Sequence, residues 1–152
     1  YRRDLRLKWP NDVLAPEGKV AGILVEAKSA DDHLWAAIGI GVNIRPPRGG
    51  FPAWAGEAAA LVSAGKAPAR EAIAQAIAES WLRLIPIWER EGFPALRARW
   101  WAAHGGARKV RVRTAQGMLE GTAEAIREDG ALVVRTDREQ VAITLGEVEA
   151  VG

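Results

Sequence analysis

Leu34-Trp35-Ala36-Ala37-Ile38-Gly39-Ile40-Gly41-Val42-Asn43-Ile44 alternates along its length. Ile38, Ile40, Val42 and Ile44 fall on one face, and Ala37, Gly39, Gly41 and Asn43 on the other. A period of two predicts a β-strand over 34–44. Glycine weakens a strand interior, so two on one face need a reason. Either something lies flat against that face, or a helix or neighbouring backbone packs closely there. On the strand alone packing is favoured. Asn43, a polar amide at the open end of the glycine groove, shifts the balance toward a ligand.

Upstream, Lys19-Val20-Ala21-Gly22-Ile23-Leu24-Val25-Glu26 predicts a strand over 20–27. It is entered through the turn Pro16-Glu17-Gly18 and left through a turn at Asp31-Asp32. Residues 5–8 predict a shorter strand that stops at Trp9-Pro10, because proline has no N–H to continue a ladder. Asn11-Asp12 then opens a loop. Downstream, Arg45-Pro46-Pro47-Arg48-Gly49-Gly50 is too rich in Pro and Gly for regular structure.

From 56 to 103 the period becomes helical. Glu57 to Ala64 predicts a short helix closed by Gly65. A second starts near Pro68, a good first-turn residue. Its apolar positions Ile73, Ile77, Trp81, Leu84 and Trp88 make one buried stripe, and Pro86 should bend or break it. A further helix covers Phe93 to Trp101. From Lys109 the period returns to two: Val110 and Val112 alternate with Lys109, Arg111 and Arg113. Gly117 and Asp129-Gly130 mark hairpin turns. Leu132/Val134 and Val141/Ile143/Leu145 supply further strands, and short strands joined by tight turns suggest a small β-barrel.

Bulk composition excludes several classes of function. The 152 residues suit one domain, or an incomplete domain and a small second one. A balance of 21 cations against 19 anions is too even for a nucleic-acid footprint. With no cysteine, disulfides, thiolate nucleophiles and Cys-based metal sites are out, and a reducing compartment is compatible. No apolar run is long enough for a bilayer, and no signal peptide opens the chain. The opening Tyr1-Arg2-Arg3 reads as part of a longer record. Arginine far outnumbers lysine, which makes Lys8, Lys19, Lys28, Lys66 and Lys109 worth tracking.

Taken alone, each polar residue near the strands has an ordinary explanation. Lys19 reads as a solvated strand-end lysine, Gly22 as a bulge or packing glycine, and Asn11-Asp12 as an Asx-turn. Trp9 reads as a core or pocket-wall residue. Trp81, Trp88, Trp100 and Trp101, at helical spacing, read as core. His33 and His104 stand apart from any Asp or Glu at ligand spacing and carry no metal or catalytic role. Glu120, Glu124 and Glu128 can pair across a hairpin with Arg108, Lys109, Arg111 and Arg113, which favours an internally neutralised surface.

Together, Lys8-Trp9-Pro10-Asn11-Asp12, Lys19 to Glu26 and Gly39 to Asn43 resemble the catalytic core of biotin protein ligases. KWPND alone is short and GxGxN alone is weak, but with KVAGILVE in this order they make a strong signal. The related lipoate ligases share a fold but are not expected to carry the KWPND–KVAGILVE pair. The resemblance continues to the last residue.

It implies an α+β fold: a partial mixed sheet with helices, of the class II synthetase-like core, then a small SH3-like β-barrel. Residues 1–104 would be the C-terminal part of the catalytic domain and 108–152 the barrel. The implied activity is activation of biotin by ATP, with Mg2+ accompanying the nucleotide, to biotinyl-5'-AMP. The biotinyl group then passes to a lysine of a biotin carboxyl carrier domain, in the cytoplasm.

By the same resemblance, Lys19 meets the biotin carboxylate and the adenylate phosphate, and Asp12 orients or deprotonates the acceptor lysine. Lys8 belongs to the cofactor-binding KWPND motif, Asn11 and Asn43 serve the nucleotide side, and the backbone at Gly22 lines the biotin pocket. The family's upstream GRGRxGR loop does not occur in this sequence, so the chain by itself is expected to be incomplete and inactive. The alternative is a non-catalytic binding or interaction module built on the same fold. Nothing in this segment points to nucleic acid or membrane, and the oligomeric state, a homodimer included, stays open.

Overall fold

The computed structural model describes residues 4–30 and 33–150. Its contacts divide the chain into two compact units, residues 1–6 with 11–68, and residues 7–10 with 69–152.

The first unit is built on a sheet of strands β1 (Arg6–Lys8), β2 (Asp12–Ala15), β3 (Gly18–Ala30) and β4 (His33–Val42), in the order β1-β2-β3-β4. The two long strands pair antiparallel from Ala21 opposite Val42 to Ala30 opposite His33. The turn expected at Asp31-Asp32 lies outside the described residues. Asn11-Asp12 was expected to open a loop, yet Asp12 begins β2, opposite Gly22. A register shift after Val13 then brings Leu14 opposite Lys19. Such a bulge re-aims the side chains beside it.

Glu57–Ala64 is not a helix, contrary to its alanine-rich pattern. It is irregular, with a parallel bridge between Ala58 and Lys19 and bends from Leu61 onward. Glu57 accepts from the Lys19 N–H at 2.7 Å, and Ala59 donates to the Lys19 carbonyl at 2.9 Å. Leu61 donates to Asn43 at 2.7 Å and Val62 to Ile44 at 3.1 Å. The reason is the relative size of two effects. Helix propensity separates residues by tenths of a kcal/mol, whereas a buried backbone group without a partner costs about 1–3 kcal/mol. The beginning of β3 needs partners, and this segment supplies them. Ala59 then packs with Ala15 and Val20 as a small buried cluster, with Leu5 and Leu61 against it. The bridge is also the parallel contribution to an otherwise antiparallel sheet.

The second unit holds α1 (Arg70–Glu91), α2 (Pro94–His104) and strands β5 (Arg108–Thr114), β6 (Gly117–Ile126), β7 (Leu132–Arg135), β8 (Gln140–Ile143) and β9 (Glu147–Ala150). The strands form an antiparallel sheet of order β8-β7-β6-β5-β9. Its inner face carries Val110, Val112, Ala123, Ile126, Leu132, Val134, Ile143 and Val148, all buried, with Trp9 among them. Leu145, expected on a strand, follows β8 and is exposed.

The helix α1 runs unbroken through Pro86. Proline removes one N–H, and the rest of the ladder holds the rod together. The stripe expected to be buried is not: α1 has no buried residue, and Trp81 and Trp88 are about half exposed (47% and 52%). Among the described residues, none covers that stripe fully. Trp100 and Trp101 do pack on the core, and they flank His104 with ring centroids 5.1 and 5.2 Å from it. His104 is buried, with Nδ1 2.9 Å from the Leu7 carbonyl oxygen, as a core histidine should be. Among the described residues no helix is long and apolar enough to cross a membrane.

Candidate functional site

Lys19 enters β3 directly after Gly18, and its ammonium lies 2.6 Å from Asp12 Oδ1. The lysine side chain is about half exposed, the aspartate largely covered. Between them lies Gly22, the partner of Asp12 in the ladder. A Cβ at Gly22 would come within 2.9 Å of Lys19 Cε and Nζ and 3.5 Å of Asp12 Oδ1. The glycine therefore leaves the space through which the lysine reaches its carboxylate.

The glycine face continues from there. Gly22 is opposite Gly41, and Leu24 opposite Gly39. A Cβ at Gly41 would meet only the Gly22 carbonyl, at 4.0 Å, and one at Gly39 only Leu24, at 3.9–4.0 Å. These are ordinary contacts, so packing among the described residues does not demand glycine at either place. The close-packing explanation loses its ground. An open, flat strip leading away from a paired ammonium and carboxylate remains.

Asn11 and Asn43 bracket the strip, each tied to β3. Asn11 Nδ2 donates to the Ile23 carbonyl at 2.6 Å, and the Asn11 carbonyl accepts from Ile23 N–H at 2.9 Å. This is a bond across strands, not the local Asx-turn. Asn43, just past β4, donates from Nδ2 to the carbonyls of Lys19 (3.2 Å) and Ala59 (3.1 Å). Among the described residues no hydrogen bond reaches Oδ1 of either amide, so both oxygens are available as acceptors.

Of the residues singled out in the sequence, Asp12, Lys19, Gly22, Asn11 and Asn43 come together in the first unit. Lys8 lies half-buried on β1, in the stretch that groups with the second unit. Sequence reasoning missed Gly18 and the Glu57–Leu61 segment. Gly18 has φ +141°, and a Cβ there would overlap the Glu57 carbonyl. Its signal was its place in a Pro-Glu-Gly turn directly before Lys19. The segment left none, since its composition favours helix.

Two arginines of the second sheet pair with glutamates on a neighbouring strand. Arg111 pairs with Glu120 at 2.7 Å, and Arg135 with Glu124 at 2.7 Å. The hydrogen bond from Arg135 holds the Glu124 carboxyl below its ordinary value, against the opposing pull of desolvation, with Gln140 and the Arg135 charge adding to the lowering. Of the three glutamates expected to pair with β5, Glu120 does so, Glu124 takes Arg135 on β7 instead, and Glu128 lies in the turn beyond β6.

Family models match on both sides of the helices. Residues 2–43 match the Biotin/lipoate A/B protein ligase family, and residues 108–150 the Biotin protein ligase C terminal domain. The first match points to the biotin and lipoate ligases as a class, and the second narrows the likeness to the biotin side. Over both stretches the chain is similar to biotin protein ligases.

Among curated relatives, it is 33% identical over 149 residues to a biotin–[acetyl-CoA-carboxylase] ligase of Paracoccus denitrificans, covering 95% of this chain and 62% of the relative. It is 29% identical over 147 residues to the bifunctional ligase/repressor BirA of Bacillus subtilis, covering 94% of this chain and 45% of that protein. The chain thus spans about half the length of these relatives. The biotin protein ligase of Aquifex aeolicus in complex with biotin and ATP superposes with a TM-score of 0.77 at 24% identity, over 95% of this chain and 61% of that one. At that identity the likeness is one of fold.

Proposed function

We propose that the protein activates biotin with ATP and transfers it to a lysine of a biotin carboxyl carrier domain. The observation that carries this reading is the Lys19–Asp12 pair set over the open glycine strip. In the first step a biotin carboxylate oxygen attacks the α-phosphorus of ATP. The new O–P bond makes the mixed anhydride, biotinyl-5'-AMP, and pyrophosphate leaves with the electrons of the broken P–O bond. Two anions must meet, and a fixed ammonium offsets their repulsion, more so as charge builds in the transition state. Lysine suits this as a compact point charge.

In the second step an acceptor lysine attacks the acyl carbon, the amide forms and AMP leaves. Asp12, drawn close to Lys19, is suited to orient that amine and take its proton once the amine is within hydrogen-bond reach. The glycine strip would let the flat ureido ring approach the backbone of Gly22, and the Oδ1 acceptor of Asn11 suits an exocyclic amino group. Mg2+ would arrive on the nucleotide phosphates, the usual mode for this ion, since among the described residues no three acidic or histidine side chains cluster to cage it.

In this reading residues 1–104 form the catalytic portion and 108–152 the SH3-like C-terminal domain. The reaction runs in the cytoplasm, with which a cysteine-free chain is compatible. The test is pyrophosphate release with biotin and ATP, in the natural polypeptide with any residues that precede Tyr1. Lys19→Ala should lower the rate by roughly two to three orders of magnitude, and Lys19→Arg should also be poor, because a planar fork does not replace a point charge. Near-normal rates in both would reduce Lys19 to a surface lysine.

A further inference from the structure

Lysine has a long, flexible stem, and half of this one is exposed, so the position of its Cα decides where its ammonium can wait. The backbone of Lys19 is held unusually firmly for a strand end. Its N–H donates to Glu57 at 2.7 Å, and its carbonyl accepts from Ala59 N–H at 2.9 Å and from Asn43 Nδ2 at 3.2 Å. The same Nδ2 donates to the Ala59 carbonyl at 3.1 Å. Asn43 is anchored in turn, its N–H donating to Val20 at 2.8 Å and its carbonyl accepting from Leu61 at 2.7 Å. One amide group thus ties three segments together: the start of β3, the end of β4 and the Glu57–Leu61 strap. Gly18 makes the approach of the strap feasible, because any Cβ would overlap the Glu57 carbonyl and its φ of +141° disfavours other residues.

We propose that the Glu57–Leu61 strap, Gly18 and the Asn43 side chain form a clamp that positions Lys19 for catalysis. The idea rests on the function proposed above and adds positioning residues to it. The clamp acts through Lys19, not on the substrates. It follows that damage to it costs rate only while Lys19 is present. A misplacement of about 1 Å is commonly worth about a hundredfold in rate.

A double-mutant cycle tests this. Gly18→Ala and Asn43→Asp are each made with Lys19 intact and in a Lys19→Ala background, in the natural polypeptide. Pyrophosphate release is followed at varied ATP, and binding stoichiometry is measured with a non-hydrolysable biotinyl-adenylate mimic. Asn43→Asp keeps the side-chain volume but removes the donor, so it remains informative if Gly18→Ala fails to fold. With Lys19 intact, kcat should fall about tenfold to a hundredfold, with KM for ATP and the stoichiometry unchanged. Without Lys19, neither change should cost anything further. Amide exchange at Ala59 should quicken in both variants while β5–β7 stays protected.

Equal losses in both backgrounds, or a loss confined to KM for ATP, would overturn the clamp and return Asn43 to direct nucleotide contact. If Lys19→Ala alone leaves the rate intact, the proposed function fails instead.

Discussion

Replacing Gly22 by alanine separates chemistry from stability at this site. The new Cβ would stand 2.9 Å from Lys19 Cε and Nζ and 3.5 Å from Asp12 Oδ1. Carbon atoms sit comfortably at about 3.5–4.0 Å, so the lysine end must retreat by about half an ångström or more. The atoms that must move are the far end of a flexible side chain, and the fold loses little. Gly22 lies mid-ladder opposite Asp12 and Gly41 in an ordinary extended conformation, where alanine reduces the freedom of the unfolded chain by about 0.4–1 kcal/mol. The net change in stability should stay within about 1 kcal/mol, read from urea unfolding. Adenylate formation is another matter. A displaced ammonium no longer meets both anions, and the rate should fall about tenfold to a hundredfold, read as single-turnover pyrophosphate release. Full rate in Gly22→Ala would show that the space over this glycine does not matter to Lys19. A loss of several kcal/mol of stability would show that the glycine is there for packing.

Three further expectations concern the second unit. Trp9 is buried in the core and donates Nε1–H to the Gly130 carbonyl at 2.9 Å, so Trp9→Ala should cost about 3–5 kcal/mol in urea unfolding and Trp9→Phe clearly less; equal costs would deny it a packing role. A Cβ at Gly121 would overlap the backbone carbonyl of Arg135, and since backbone cannot swing aside as a side chain does, Gly121→Ala should lower the melting temperature clearly, an unchanged melt refuting the close approach. The Glu124 carboxyl is held low chiefly by its bond from Arg135, so its small contribution is present above the unfolded-state value and lost as pH falls through the folded one; the stability gap between the native chain and Glu124→Gln should therefore close in acid, and a gap independent of pH would contradict it.

Much of this was legible in the chain because period-two alternation is a strong local signal. The alternation of Val110 and Val112 with arginines follows from a covered face, both valines being buried, whereas the strand carrying Gly39 and Gly41 forms although Ile38 and Ile40 remain exposed on it. Glu57–Ala64 was misread because its fate is set by partners forty residues upstream. Nothing in an alanine-rich stretch announces that the backbone of Lys19 needs a donor and an acceptor. The stripe on α1 was read correctly as apolar and wrongly as buried, since burial requires a neighbour that a helical period cannot supply. At the site, residue types were legible and their work was not. Asn43 looked like a ligand contact, yet its nitrogen is occupied by the Lys19 and Ala59 carbonyls, which leaves its oxygen for any ligand. Asp12 appeared as a loop residue, yet it is a strand residue facing Gly22.

The central claim is that the glycine strip beside Lys19 and Asp12 receives the biotinyl-adenylate. The most direct measurement is amide shift mapping of the natural polypeptide with a non-hydrolysable biotinyl-adenylate mimic. The account predicts large, saturable shifts at Lys19, Gly22, Gly39, Gly41 and Asn43, with the shift at Lys19 lost in the Gly22→Ala variant. Saturable binding that leaves Gly22, Gly39 and Gly41 unmoved, with shifts confined to β5–β9, would contradict it.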